Sequence, residues 1–263
     1  MTSIIIPNHN GAATLGRCIR SVREQTFRDW ECIIVDDGST DDSIDIIRRA
    51  VAGNPRFTII TNNMQARGVA YARNVGVLSA DGDSLFFVDS DDWIERNALQ
   101  FAVSEAKAHP EAGRIVVPDY LDYPERGWSW KHIISPIGLH GPESPHMFSG
   151  PDCDTGHATG CLYLLDRIPC ELQFPDVRIF EDMIFNMGLM FAGMSTYITN
   201  KHLYRYVRHD GSLLSSTLTE IEAWAAMETL TVLAQKYNPK PEVYERCLRF
   251  LNNALANRIE KNG

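Results

Sequence analysis

The sequence predicts an α/β protein: a mostly parallel, twisted sheet flanked by helices, with a C-terminal helical extension. Three observations carry this. Short apolar runs alternate with segments of helical period from Ser3 to about Val117. Acidic clusters stand where two of those runs end, at Asp36–Asp37 and at Asp89–Asp92. From Thr219 only helical periodicity remains, interrupted at Asn238-Pro239-Lys240-Pro241.

In order, Ser3–Ile6 is an apolar run stopped by Pro7 and reads as a buried strand. Asn8-His9-Asn10-Gly11 is turn chemistry, and Leu15, Cys18, Ile19 and Val22 then recur at helical spacing. Trp30–Val35 is a second strand. It ends in Asp36-Asp37-Gly38-Ser39-Thr40, with Ser39 or Thr40 capping a helix that buries Ile44, Ile47 and Val51. Phe57–Ile60 is a third strand and Gly68–Leu78 a helix. Leu85–Val88 is a fourth strand, followed by a helix from Trp93 to about Ala108 that Asp92 caps. Arg114–Val117 is a fifth strand. Residues 121–159 are rich in Pro, Gly, His and Trp and read as irregular, site-forming loops. Cys161–Leu165 then reads as a strand and Phe180–Phe191 as a helix. The last helix puts Tyr244, Cys247, Leu248, Leu251 and Leu255 on one face.

Composition narrows the function. The chain has 263 residues, 44% hydrophobic and 22% charged, enough to build a sizeable core. Its net charge of -9 argues against nucleic acid as a partner, because phosphate neutralisation needs Lys and Arg. The six cysteines form no C-x-x-C pair, so reduced, mostly buried thiols in a cytoplasmic protein are expected. No basic n-region opens the chain, and no apolar run approaches the roughly 20 residues of a membrane span. The expected location is cytoplasmic, with peripheral contact at the inner membrane face as a further option. The Lys201-His202, Arg205 and Arg208-His209 stretch could meet anionic headgroups there.

Parallel sheets bind ligands beyond the C-terminal ends of their strands, where both acidic clusters fall. Asp89 and Asp91 offer hard oxygen ligands suited to Mg²⁺ or Mn²⁺, which could bridge to a diphosphate. Asp36 or Asp37 can accept a hydrogen bond from a base or a ribose hydroxyl. Arg67 either holds a phosphate with its planar fork or makes a surface salt bridge. Glu181 and Asp182 either supply a general base or simply favour a first helical turn. G-x-G-x-x-G is absent, which disfavours a nicotinamide cofactor.

Taken together, Ile4-Ile5-Ile6-Pro7-Asn8-His9-Asn10, Val35-Asp36-Asp37-Gly38-Ser39-Thr40-Asp41, Ala72-Arg73-Asn74, Phe87-Val88-Asp89-Ser90-Asp91-Asp92-Trp93 and Phe180-Glu181-Asp182 resemble, in this order, the family 2 glycosyltransferases. Leu203-Tyr204-Arg205-Tyr206, with Gly211-Ser212 after it, is similar to that family's later pattern. The resemblance implies a Rossmann-like GT-A fold over residues 1–215. Residues 1–120 would be its nucleotide-sugar-binding half, 121–215 its acceptor and catalytic half, and 216–263 the helical extension. It further implies that Pro7, Asn8, Asn10, Asp36, Asp37, Arg67, Asn74, Asp89 and Ser90 contact a nucleotide-sugar donor. Asp91 and Asp89 would hold Mn²⁺ or Mg²⁺, and Asp182 would be the catalytic base with Glu181 as its neighbour.

The implied reaction is inverting transfer of one sugar, with uridine as the commonest base in the family, to a saccharide or lipid-linked hydroxyl. It would serve cell-surface polysaccharide or glycolipid synthesis. His9 stands where relatives often carry Tyr, and the Q-x-x-R-W motif of processive synthases is absent, which favours single transfer. Two other classes compete. One is a catalytically silent sugar-nucleotide-binding protein. The other is a signalling receiver domain, which needs an acidic pair after the first strand and a late Lys; here the pair follows the second strand and no Lys precedes Lys107. The C-terminal helices are expected to pack on the core, with homodimerisation or membrane contact as alternatives.

Overall fold

The computed structural model describes residues 1–123, 127–131, 136–148, 156–208 and 218–259. The sequence readings at Cys153, His209 and Gly211-Ser212 lie outside the described residues.

Strands β1 (Thr2–Asn8), β2 (Trp30–Asp37), β3 (Phe57–Asn62) and β4 (Ser84–Phe87) pair in parallel in the order β3-β2-β1-β4. Helices α1 (Leu15–Arg23), α2 (Ser43–Val51) and α3 (Val69–Leu78) make the crossovers. β1 is buried along its whole length, which explains its unbroken apolar run. Beyond β4 the sheet becomes mixed. β10 (Cys161–Leu164) runs antiparallel between β4 and β6 (Arg114–Val116), and β11 (Thr196–Ile198) and β9 (Gly138–His140) complete eight strands. The mostly parallel, helix-flanked sheet expected from the sequence is the one observed.

Three sequence expectations are corrected. The segment from Trp93 to Ala108 is not one helix: Trp93–Ile94 forms β5, and α4 begins at Ala98. Asp92 does not cap that helix. It is fully buried, where it accepts hydrogen bonds from the Tyr204 hydroxyl (2.6 Å) and the Val207 amide (2.8 Å). The described parts of 121–159 are also more regular than expected. They take part in a second sheet of order β5-β12-β7-β8, built with β7 (Asp119–Tyr123), β8 (Trp128–Lys131) and β12 (Tyr204–Val207). Pairing across some 80 residues of chain leaves no local period in the sequence.

Helices α5 (Glu181–Phe191), α6 (Glu220–Tyr237) and α7 (Pro241–Ile259) pack together behind the sheet. Leu230 of α6 and Val243, Cys247, Leu251 and Leu255 of α7 share one apolar cluster with α5 and with Phe87 and Tyr163 of the sheet. The apolar stripe of the last helix is therefore used within the chain. Thr219 caps α6 through a full capping box with Glu222. No helix among the described residues is long and apolar enough to cross a membrane.

Candidate active site

The first two β-strand ends are tied to each other. Asn8 Nδ2 donates to Asp36 Oδ1 (2.7 Å), and the Ser39 hydroxyl donates to the same oxygen (2.6 Å). Asn10, in the left-handed region at φ 54, accepts the Thr40 amide on its side-chain oxygen (2.7 Å). Asp37 Oδ2 accepts the backbone amides of Arg67 and Gly68, each at 2.7 Å, and Asp37 Oδ1 accepts Asn62 Nδ2 (2.8 Å). Both aspartates are buried. Ser39 therefore does not cap α2, and Asp42, which directly precedes that helix, makes no capping bond either. The turn needs Gly38: its φ is +70, and a Cβ there would meet the Met64 carbonyl at 2.6 Å.

The end of β4 is bound to the start of α5 by one buried arginine. Arg73 Nη2 donates to Asp89 Oδ1 (2.9 Å) and Nη1 to Glu181 Oε1 (2.6 Å), with only 3% of its side chain exposed. Asp89, Asp91 and Asp92 bring one carboxylate oxygen each within 4.8 Å of one another. The Tyr204 hydroxyl accepts the Asp89 amide (3.2 Å) while donating to Asp92, so β12 fixes the turn. On the other flank a Cβ at Gly11 would touch the Ser90 hydroxyl (3.1 Å), which places the β1 loop against the β4 turn.

Asp182 follows Glu181 in the first turn of α5. Its Oδ2 lies 3.5 Å from His157 Nδ1, and its Oδ1 accepts the Met183 amide (2.8 Å). Burial pushes Asp182 up, but the bond to His157 and the charges of His157 and Arg73 outweigh it, holding the carboxyl below its usual range. Its neighbour moves the other way. Burial, then the charge of Asp182, raises Glu181 against the opposing pull of Arg73. The two adjacent acids are thereby shifted in opposite directions, Asp182 toward the ionised form and Glu181 toward the protonated one. Burial also raises Asp89, and raises Asp92 further with the help of the Asp91 and Asp89 charges.

The glycosyl transferase family 2 model matches residues 3–169. The chain belongs to that family. It is a glycosyltransferase. It is 27% identical over 275 residues to the glycosyltransferase GlyA of Streptococcus pneumoniae, covering 97% of this chain but 38% of GlyA. The fold matches a crystal structure of S. aureus TarS 1-349 in complex with UDP-GlcNAc at a TM-score of 0.82 and 20% identity, covering 100% of this chain and 74% of that one. It also matches a mannosyltransferase of Pyrobaculum calidifontis in complex with GDP-Man and Mn²⁺, at a TM-score of 0.62 and 17% identity, over 97% of this chain and 74% of that one. The fold is GT-A.

In this glycosyltransferase the motif residues fall into distinct environments. Asn8, Asp36, Asp89, Ser90, Asp91, Glu181 and Asp182 gather at the C-terminal edge of the sheet, while Asp37 is tied to the loop between β3 and α3. Pro7 lies buried within β1, opposite Val35. The Asn74 amide is held at both ends by the Phe174 backbone, at 2.8 and 2.9 Å, and so anchors the segment leading to α5. The Arg67 guanidinium lies 4.0 Å over the Tyr71 ring. Arg205 is engaged with Glu95 (2.7 Å) and Asp122 (3.4 Å), which neutralises part of the charge proposed to meet a membrane.

Sequence reasoning missed Arg73, His157 and Tyr204 as site residues. Arg73 stood inside a recognised motif, and an arginine in an otherwise apolar helical run is the signal that could have exposed it. His157 carries no such signal. The donor set at the β4 turn fits a hard divalent cation: carboxylate oxygens of Asp89 and Asp91 converge there, while Asp92 is occupied by Tyr204 and Val207.

Proposed function

We propose that this glycosyltransferase moves a single sugar, with inversion, from a nucleoside diphosphate sugar to an acceptor hydroxyl. The donor is a UDP-sugar, and the product belongs to a cell-surface polysaccharide or glycolipid. The carrying observation is the Asp182 carboxylate, kept ionised by His157 at the head of α5, one residue from the Glu181–Arg73–Asp89 chain. The donor's diphosphate lies along the Asp89–Asp91 turn, with its nucleoside between the β1 and β2 loops. A divalent cation held by Asp89 and Asp91 would neutralise charge on the leaving diphosphate.

Asp182 takes the proton from the acceptor hydroxyl as that oxygen attacks the anomeric carbon. The bond from that carbon to the diphosphate oxygen breaks, and its electron pair leaves with the nucleoside diphosphate. One base suffices and no covalent sugar–enzyme species forms. Arg73 holds Asp89 and Glu181 in place. Burial and the Asp182 charge push Glu181 toward its protonated form, which lessens the negative charge beside the base.

The TarS complex with UDP-GlcNAc supports the choice of uridine and of a nucleotide sugar, and the mannosyltransferase complex with GDP-Man and Mn²⁺ supports the cation. Asp182→Asn tests the reading. UDP binding in Mn²⁺ should stay within about twofold, while transfer from UDP-GlcNAc or another active UDP-sugar should fall by about 10²-fold or more. Retained transfer removes Asp182 as the base.

A further inference from the structure

We propose that Asn186 is a positioning residue for the base: through the backbone of Gly156 and His157 it keeps the His157 ring on Asp182. This rests on Asp182 acting as the base. Asn186 lies four residues after Asp182 in α5, so the two side chains leave the same side of the helix, one turn apart. Asn186 Nδ2 donates to the Gly156 carbonyl (2.6 Å) and to the His157 carbonyl (3.3 Å). The helix that carries the base thus also holds the loop that carries the base's partner.

Two further side chains secure that grip. The Tyr163 hydroxyl of β10 donates to Asn186 Oδ1 (2.9 Å). Carbonyls only accept, so the amide turns its NH2 to the loop and its oxygen is left for Tyr163. Arg114 of β6 donates from Nη2 to the His157 carbonyl (2.8 Å) and to the Cys161 sulfur (3.2 Å). Asn186, Tyr163 and Arg114 are 3%, 0% and 2% exposed. Bonds this deep are not exchanged for bonds to water, and losing one leaves a buried polar group unpaired.

The held loop presents His157 to the base. Its Nδ1 is 3.5 Å from Asp182 Oδ2, at the outer limit of a hydrogen bond, and Tyr206 flanks the ring (6.1 Å, 28°). A contact that long has no slack, so a loop displacement of about 1 Å breaks it. Among the described residues, the titratable groups around Asp182 are His157, Arg73 of α3, Arg114 of β6, Tyr163 of β10, Glu181 of α5 and Asp89 at the end of β4. Burial raises the Asp182 carboxyl, and the bond to His157 is the strongest of the effects that lower it. A His157 that drifts away leaves burial less opposed, so the carboxyl rises.

NMR of ¹³Cγ-labelled aspartate reads the Asp182 titration in the full chain without metal, its signal assigned by its loss in Asp182→Asn. His157→Ala should raise the titration midpoint by about one pH unit or more, and Asn186→Ser should raise it comparably. The double variant should rise no further than His157→Ala, because Asn186 acts through His157. An unmoved midpoint in either single variant, or additive rises in the double variant, overturns the proposal and reduces Asn186 to a partner for buried carbonyls. Where Asn186→Ser does not fold, Tyr163→Phe decides in its place. It removes one hydroxyl, frees the amide to turn and should move the midpoint the same way; an unmoved midpoint there overturns the proposal. Transfer retained in Asp182→Asn, with the midpoint shifts intact, would remove the base assignment while the grip on His157 stands.

Discussion

Replacing Arg73 by Met should be among the most damaging single changes near the site. The side chain of Met approximates the arginine stem but carries no charge. Arg73 is 3% exposed and donates at 2.9 Å to Asp89 and at 2.6 Å to Glu181. Charge-assisted bonds contribute about 1.5–3 kcal/mol each, and removing one partner of a buried ion pair costs about 3–5 kcal/mol because the remaining charge is uncompensated. The two estimates agree at about 3–5 kcal/mol. For a chain of this size that lowers the melting temperature by about 6–20 °C, at about 2–4 °C per kcal/mol. Urea denaturation and a thermal scan at pH 7.5 measure it. Adding Glu181→Met should recover part of the loss, since the stranded carboxylate disappears with it. A cost under about 1 kcal/mol in the single variant would refute the reasoning.

Two further outcomes follow from the same geometry. Burial and Asp182 raise Glu181 to about 7 from its ordinary 4.5, so between these values the native protein holds a proton the unfolded chain has released. Stability from this group is complete below about pH 4.5 and falls as pH rises to about 7, by about 3 kcal/mol; Glu181→Gln should flatten that slope in a denaturation series, and an unchanged slope contradicts it. Asn74→Ala should cost about 1–3 kcal/mol through the Phe174 backbone while leaving UDP affinity intact; lost affinity at unchanged stability would restore Asn74 as a direct ligand.

The half of the fold that could be read from the chain is the half built from local units. In β1 to β4 each strand is an apolar run and each crossover a helix with its own period, so order and sidedness follow from spacing. The second sheet was hidden because its central strand pairs with distant segments: Tyr204 and Arg205 with Ile94 and Trp93 on one side and with Asp119 and Tyr120 on the other. Asp92 illustrates the same limit. Its position before an apparent helix suggested a cap, yet Tyr204 and Val207, more than a hundred residues away, draw it into the core.

The acidic residues of the site were legible by kind and by strand end, but their division of labour was not. Asp36 and Asp37 look like ligands in sequence; in the fold Asp36 also accepts from Asn8 and Ser39, and Asp37 from the Arg67 and Gly68 amides some 30 residues on, which no local spacing shows. Arg73 and His157 act on the charge states of Asp89, Glu181 and Asp182 only because folding brings four separate segments together.

Calorimetric titration of UDP into the protein, with and without Mn²⁺, tests the central claim most directly when run beside Asp91→Asn. The account predicts that UDP binds measurably only with Mn²⁺ and that Asp91→Asn abolishes this dependence together with most of the affinity. Equal UDP binding with and without the ion, unaffected by Asp91→Asn, would contradict a diphosphate held at the Asp89–Asp91 turn.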